Sequence, residues 1–193
     1  MKKITYLLVL IATAMAFASC SGYNNMVEKQ EAVDSQWGNV QNAYQRRADL
    51  IPNLVNTVKG YATHEQETLQ AVTEARAKAT QTTINPENLT EESLKEFQQA
   101  QGELSQALSR LLLIQENYPD LKANQNFLTL QDQLEGTENR ISVERNKFNK
   151  MAQDYNSYIR KFPQVLYAKL FKFNSKAYFE ATSEAQSAPQ VQF

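Results

Sequence analysis

Apolar residues recur along this chain at alternating spacings of four and three, the repeat of one face of an α-helix. The first such stripe includes Met26, Val33, Trp37 and Tyr44, and it continues to Val72. Only five glycines and five prolines interrupt the 193 residues, so turns are few and the helices between them are long. We therefore predict an all-α protein whose long helices pack as a bundle.

The first twenty residues have the pattern of a bacterial export signal. Two lysines, Lys2 and Lys3, precede an apolar stretch over residues 4–15 that is too short to span a membrane comfortably. Cys20 follows, and it is the only cysteine in the chain. Because this lone thiol stands where lipidation chemistry needs it, we favour a lipoprotein whose acyl chains on Cys20 hold it to a membrane. Secretion after ordinary cleavage and an uncleaved anchor are the alternatives.

These observations divide the chain into four segments. We predict a lipoprotein signal peptide over residues 1–19 and a lipidated tether over 20–23. A single helical bundle is predicted over 24–173, in line with the length of the chain. The last segment, 174–193, is predicted to be a flexible tail.

Pro52 raises the main question about helix boundaries. Inside a helix a proline removes one hydrogen bond and clashes with the preceding turn, at a cost of about 3 kcal/mol. If Asp49 caps a new helix instead, Pro52 falls in its first turn, where the missing N–H is harmless. We therefore favour helices over 24–47 and 50–81 with a break near Ala48, and a single kinked helix is the alternative.

The later boundaries are marked by local sequence. Residues 82–90 are polar and predict a loop, and Thr90 predicts the cap of a third helix that ends before Pro119. The longest helix follows and ends at Pro163, with roughly 40 residues and a length of about 60 Å. Residues 165–173 predict a short helix that closes one end of the bundle.

Polar residues interrupt or flank the apolar stripe of this longest helix. Glu144 lies on the stripe, and an unpaired buried carboxylate is costly. Either Arg140, Arg145 or another helix pairs with it, or it turns to the rim of the bundle, which we favour. Asn149 and Asn156 each follow an aromatic residue of the stripe, so we predict that they hydrogen-bond adjacent helices.

Composition and charge exclude several classes of function. The formal net charge is −1, with both signs mixed, so the charge balance of the whole chain gives no basic surface for nucleic acid or anionic lipid. One histidine and one cysteine make a poor set of metal ligands and leave no partner for an activated nucleophile. We therefore expect no catalysis, no metal and no cofactor.

Charged and polar residues on both sides of Pro52 form a candidate partner surface. It comprises Arg46, Arg47, Asp49, Asn53, Lys59, His64 and Glu65. The plain interpretation of the arginines and Asp49 is structural, at a turn between helices. The rival hypothesis is an envelope ligand-binding protein or enzyme that uses Arg47, Asp49 and His64. Helix geometry places Asp49 and His64 about 22 Å apart, which argues against a shared site.

The end of the chain suggests a second docking element. Val191 and Phe193 place apolar side chains two residues before the terminus and at the terminus itself. Extended C-termini of this kind are bound by domains that accept the carboxylate and add the peptide to a sheet. A PDZ-bearing envelope protein is therefore a candidate partner, and a loose end or one folded onto the bundle is the alternative.

A set of motifs spread over nearly the whole mature chain follows the pattern of one known family. It comprises Tyr23-Asn24, Arg47, residues 49–55 and 58–61, His64-Glu65, Ala75-Arg76, residues 138–141, Arg145, Phe148-Asn149, Tyr155-Asn156, Phe162-Pro163, residues 178–180, Pro189, Val191 and Phe193. On these residues the chain resembles the LemA family. This resemblance implies an elongated antiparallel up-and-down four-helix bundle, tethered at its N-terminus and lying outside the cytoplasm. It implies no reaction, because the family has no established activity. We therefore expect a lipid-anchored scaffold of the bacterial cell envelope with an unknown protein partner.

Overall fold

The computed structural model describes residues 2–180, with side chains from residue 21 onward. This part of the chain forms six α-helices and two 3₁₀ turns, at Pro86–Asn88 and Ile114–Asn117, and contains no strand. The helices are α1 Lys2–Lys59, α2 Gln66–Gln81, α3 Glu91–Leu113, α4 Pro119–Lys122, α5 Gln125–Arg160 and α6 Gln164–Phe171. The prediction of an all-α fold is confirmed. The side chain of Cys20 lies outside the described residues, and the predicted tether over 20–23 is part of α1.

The four longer helices alternate in direction. Gln36 of α1 meets Glu144 of α5, and Tyr61, just beyond α1, meets Asn124, just before α5, so these two helices are antiparallel. α2 packs along both α1 and α3. We call the end formed by residues 21–30, the end of α5 and α6 the proximal end. The opposite end, with the turn after α1 and with α4, is the distal end.

Two separate clusters of buried apolar side chains fill the bundle. The proximal core is rich in aromatic rings and includes Met26, Val33, Trp37, Val40, Tyr44, Phe97, Ile141, Phe148, Tyr155 and Phe179. The distal core is mainly aliphatic and includes Ile51, Leu54, Val58, Leu69, Val72, Leu104, Leu108, Leu111, Leu121, Phe127 and Leu134. The stripe predicted for α1 thus supplies both cores.

The break predicted near Ala48 does not exist. α1 runs through Pro52 and ends at Lys59, so the predicted helices over 24–47 and 50–81 are wrong. A single kinked helix over the whole stretch is wrong as well, because a turn separates α1 from α2.

A hydrogen bond from α2 explains why α1 tolerates Pro52. A proline has no backbone N–H, so inside a helix the carbonyl four residues before it loses its hydrogen-bond donor. For Pro52 this is the carbonyl of Ala48. The Nε atom of Arg76 donates to that carbonyl at 2.7 Å. The loss caused by the proline is thus offset by a side chain 24 residues further along the chain.

The heptad spacing of α5 predicts that Phe148, Met151, Tyr155 and Tyr158 are buried. Phe148 and Tyr155 are buried, but Ala152 and Ile159 are buried in place of Met151 and Tyr158. An α-helix has 3.6 residues per turn, so a strict seven-residue stripe drifts by about 20° per heptad around it. Over a helix of 36 residues this drift is enough to bring the neighbouring positions inward.

Side-chain caps fix the beginnings of two helices. Thr90 and Ser93 form the predicted capping box at the start of α3, each accepting a hydrogen bond from the other's backbone N–H. The helix predicted to be the longest is α5, which begins later than predicted, after α4, and is shorter than α1. Asn124 caps α5 by accepting a hydrogen bond from the N–H of Phe127 at 2.9 Å.

The chain after α6 does not become a loose tail at once. Residues 173–180, which we call the C-terminal segment, pack back onto the bundle, and Lys176 and Phe179 are buried there. The prediction of a flexible tail from residue 174 is therefore wrong for 174–180. Val191 and Phe193 lie outside the described residues.

Candidate functional site

The predicted partner surface does not form one patch. Arg46, Asp49 and Asn53 are exposed along one face of α1, as their spacing of three and four requires. Lys59 is the last residue of α1, and His64 is exposed in the turn that follows. These five side chains are therefore spread from the middle of the bundle to its distal end.

Two members of the predicted surface make local contacts. Asp49 was predicted to cap a helix, and this prediction is wrong. Asp49 lies within α1, where it accepts a hydrogen bond from Gln45 at 2.7 Å. Glu65 is half-buried and accepts a hydrogen bond from the hydroxyl of Tyr118 at 3.1 Å. This second contact ties the turn after α1 to the chain between α3 and α4.

Arg47 points into the bundle and is almost completely buried, so its assignment to a partner surface is wrong. Its Nη1 atom donates to the Ser105 hydroxyl at 2.9 Å and to the carboxylate of Glu138. Its Nη2 atom donates to Oε1 of Gln101 at 2.6 Å and to the carbonyl of the same residue at 3.3 Å. We call Arg47, Gln101, Ser105 and Glu138 the polar layer, which joins α1, α3 and α5.

The polar layer separates the two cores. Along α1, Arg47 stands between Tyr44 of the proximal core and Ile51 of the distal core. Gln101 also donates to the carbonyl of Ala79 at 3.1 Å, which extends the contacts to α2. All four long helices therefore meet at this level, and buried polar contacts of this kind fix how helices are aligned.

Arg47, Asp49 and His64 do not converge on one site. A cleft of about 580 Å³ opens beside the polar layer and is lined in part by Arg47. Asp49 lines a different groove, between α1 and α5. His64 lines neither of these two, so the shared site that the rival hypothesis needs is not formed.

Glu144 is buried in the bundle. The favoured prediction, that it turns to the rim, is wrong. Its carboxylate accepts a hydrogen bond from Gln36 at 2.7 Å and pairs with Arg140 at 2.9 Å and Lys147 at 3.1 Å. The Gln36 hydrogen bond, supported by Lys147 and Arg140, holds the pKa of the Glu144 carboxyl below its usual range despite burial. Arg145 instead donates to a backbone carbonyl of the C-terminal segment at 2.9 Å.

The two asparagines predicted to bind adjacent helices bind the C-terminal segment. Asn149 donates to the carbonyl of Phe179 at 2.9 Å and accepts from its N–H at 2.8 Å. Asn156 makes the same pair of bonds with Lys176, both at 2.8 Å. Each carboxamide satisfies both polar groups of one backbone residue, so the segment is buried without losing hydrogen bonds.

Side chains of the C-terminal segment complete the proximal core. The ring of Phe179 lies 5.9 Å from that of Trp37 and 5.4 Å from that of Phe148. The Nζ atom of Lys176 donates to the carboxylate of Asp34 at 2.8 Å, an ion pair that is mostly buried. The segment is therefore part of the folded bundle.

Within the part of the chain that the structure describes, no helix has an apolar stretch long enough to cross a membrane. The structure is an all-α bundle of helices that alternate in direction. Its buried polar groups, in the polar layer and along the C-terminal segment, bind one another or the backbone. The sequence profile of the LemA family matches residues 36–193, and the chain belongs to that family.

Relatives with curated names share about a quarter of their aligned residues with the chain. Protein LemA of Metamycoplasma hominis is 23% identical over 183 residues, covering 94% of this chain and 80% of that protein. Magnetosome protein MamQ 2 of Paramagnetospirillum magneticum is 25% identical over 189 residues, covering 89% and 70%. Magnetosome protein MamQ of Magnetospirillum gryphiswaldense is 26% identical over 174 residues, covering 81% and 64%.

Proposed function

We propose that the protein is a membrane-anchored helical scaffold of the bacterial cell envelope that binds partner proteins and catalyses no reaction of its own. The observation that carries the proposal is how soon packed structure follows Cys20. Gly22 is already buried, a Cβ added there would lie 3.9 Å from the ring of Tyr167, and α1 continues from there through the whole bundle. A lipid on Cys20, or an uncleaved apolar segment, would hold the proximal end close to a membrane and place the bundle outside the cytoplasm.

The relatives are consistent with this role. Two of them are magnetosome proteins by name and one bears the family name, and these names specify no reaction. The rival, a ligand-binding protein or enzyme, gains no support from the positions of its three residues. Arg47 is buried, whereas Asp49 and His64 are exposed on different parts of the surface.

Exposed members of the predicted surface are the candidates for binding a protein partner. Arg46, Asp49, Asn53 and Lys59 leave α1 on its solvent side, where they are accessible to a partner's helix or loop. The C-terminal residues Val191 and Phe193 remain a second candidate, for a PDZ-type partner.

Fractionation of the native host tests the anchorage. We expect the wild-type chain in the membrane fraction and Cys20→Ser in the soluble fraction if the lipid is the anchor. A Ser21→Ala chain is the matched control, since it changes the neighbouring residue and keeps the thiol. Recovery of the wild-type chain as a soluble protein would contradict the proposal.

Crosslinking in membranes, followed by affinity purification, tests partner binding. Arg46→Glu combined with Lys59→Glu should remove partners that bind the exposed basic residues of α1. Lys95→Glu combined with Lys150→Glu is the control, since it makes the same change of charge at exposed positions of α3 and α5. The partners that bind α1 should still be recovered with this variant. Deleting Phe193 tests the C-terminal candidate separately, and an unchanged partner list would exclude it.

A further inference from the structure

The outer face of α6 is apolar although it is exposed. Phe162, Leu166 and Leu170 follow one another at intervals of four and expose 80%, 58% and 72% of their surface, and Phe171 exposes 51%. The one fully buried residue of α6 is Ala168. We call the four exposed residues the apolar ridge. Large apolar side chains that are exposed together within ten residues are unusual, and exposed apolar surface of this kind marks a site where a protein meets another apolar surface.

Positive charge surrounds the apolar ridge. Arg160, Lys161, Lys169 and Lys172 are all exposed and lie within or beside α6. Residues 155–179 contain no aspartate or glutamate. Aromatic and aliphatic side chains bordered by basic residues match the headgroup and upper acyl region of an anionic bilayer.

The apolar ridge lies at the end of the bundle where the anchor segment departs. The ring of Tyr23 in α1 lies 5.0 Å from that of Phe171, edge to face. Residues 4–15, the apolar stretch of the export signal, precede this contact within α1. Cys20 lies three residues before Tyr23, and the apolar stretch ends eight residues before it, so either anchor places the ridge near the membrane.

We propose that the apolar ridge inserts into the interfacial region of an anionic lipid bilayer, so that the bundle rests on the membrane by its proximal end. This inference rests on the proposed anchorage and adds a second contact with the same membrane. The anchor keeps α6 near the bilayer, so even a weak intrinsic affinity of the ridge leads to stable contact.

Charge favours lipid over a second copy of the chain as the occupant. A contact between two ridges would bring eight basic groups together, four from each copy, with no acidic residue within 155–179 to oppose them. Juxtaposed like charges destabilise such a contact. An anionic leaflet instead attracts each of these basic groups.

Lipid-borne photolabelling of the full chain tests the inference. The chain is reconstituted into phosphatidylcholine vesicles, with and without phosphatidylglycerol, that contain a lipid with a carbene-generating group on its acyl chain. Labelled residues are then mapped by mass spectrometry. We expect the ridge to be labelled several-fold above Leu113, which is 69% exposed at the distal end. Labelling of the ridge should also be stronger in the anionic vesicles.

Variants separate the contributions of charge and apolar surface. Lys169→Gln combined with Lys172→Gln should lower ridge labelling in anionic vesicles several-fold, towards the level in neutral vesicles, because each lysine contributes about 1 kcal/mol of attraction to an anionic leaflet. Lys95→Gln combined with Lys150→Gln is the matched control. Leu166→Ser combined with Leu170→Ser should lower labelling in both lipids. These side chains are exposed, so helix content by circular dichroism should not change.

The outcomes distinguish the inference from the anchorage on which it rests. Labelling of the anchor region with the ridge no higher than Leu113 would overturn the inference and leave the anchorage intact. Labelling of neither region, with the chain free of vesicles, would overturn both. Equal ridge labelling in the two lipids, unaffected by the lysine variants, would overturn the preference for anionic lipid.

Discussion

The proximal and distal halves of the bundle are stabilised by different side chains from different parts of the sequence. In the proximal half, Trp37 contacts the rings of Phe97, Phe148 and Phe179, and Phe179 belongs to the C-terminal segment. In the distal half, aliphatic side chains of four neighbouring helices pack together without that segment. The comparison shows that the proximal half is complete only after the last part of the bundle has folded back.

The polar layer is where these two halves meet. Because Arg47 must reach acceptors on both α3 and α5, sliding either helix by one turn would break the set. Apolar contacts alone are less selective, since aliphatic side chains repack at modest cost. The polar layer thus fixes how the helices are aligned, whereas the apolar contacts within each core would allow other alignments.

Removing the central ring of the proximal core should have the largest effect. Trp37→Ala leaves a cavity among three other rings and removes the hydrogen bond to the carbonyl of Ile84, so we expect a loss of about 4 kcal/mol. Leu54→Ala, the distal counterpart, should cost about 3 kcal/mol. Chemical denaturation measures both. A smaller loss for Trp37→Ala than for Leu54→Ala would break the comparison between the cores.

Removing the charge between the two halves should have the next largest effect. Arg47→Met leaves the buried Oε1 atom of Gln101 without its donor and removes the ion pair with Glu138, and we expect a loss of about 3 kcal/mol in the free energy of unfolding. Arg46→Met, at the exposed neighbour, should change it by less than about 0.5 kcal/mol. If the two variants were equally stable, the polar layer would have no role in alignment.

Releasing the C-terminal segment should affect the proximal half alone. Asn149→Ala removes both hydrogen bonds to Phe179, and we expect a loss of about 2 kcal/mol. Hydrogen exchange should accelerate at residues 176–180 while α2 stays protected. Asn146→Ala, at an exposed position one turn earlier, is the control. Faster exchange in α2 as well would show that the two halves are not separable.

The contact of Arg76 with Ala48 can be tested by a double-mutant cycle. Arg76→Leu should cost about 1.5 kcal/mol, because the carbonyl left free by Pro52 loses its donor. In a Pro52→Ala background the backbone N–H returns, so Arg76→Leu should cost less. Denaturation midpoints of the four chains give the coupling energy. Zero coupling would mean that Arg76 does not offset the proline.

The pH dependence of Glu144 should be the smallest effect. Its pKa is lowered in the folded protein, so its stabilising contribution is present above the unfolded pKa of about 4.3 and is lost as pH falls through the folded value. Between pH 6 and pH 3, the wild type should therefore lose more stability than Glu144→Gln, by less than about 1 kcal/mol. Glu135→Gln, at an exposed position of α5, is the control. Parallel losses in wild type and Glu144→Gln would contradict this.

Periodicity predicted the helices and most of the core because burial of one face leaves a regular trace in the sequence. It could not predict that α1 runs through Pro52, because the compensating donor, Arg76, is brought close only by folding. Nor could it predict the position of the C-terminal segment. That segment has no helical apolar periodicity, and two asparagines of α5, seven residues apart, form hydrogen bonds with its backbone.

The candidate site illustrates the same limit. Arg47 stands on the apolar stripe, four residues before Ile51 and three after Tyr44, and this register was the available sign that it is buried. Gln101 likewise stands on the apolar stripe of α3, four residues after Phe97 and three before Leu104. Nothing in the sequence, however, pairs Arg47 with Gln101, Ser105 and Glu138, which lie on two other helices. The apolar ridge could not be predicted from the sequence at all. Leucines in a short helix are expected to be buried, and only the structure shows that those of α6 are exposed.

Neutron reflectometry of the full chain in a supported anionic bilayer tests most directly whether the bundle stands on the membrane by its proximal end. From Ser21 to Lys59, α1 rises about 58 Å. We predict a protein layer of about that thickness, with density that begins within the headgroups and no intervening layer of water. A layer of about half that thickness, or one separated from the headgroups by solvent, would contradict this orientation.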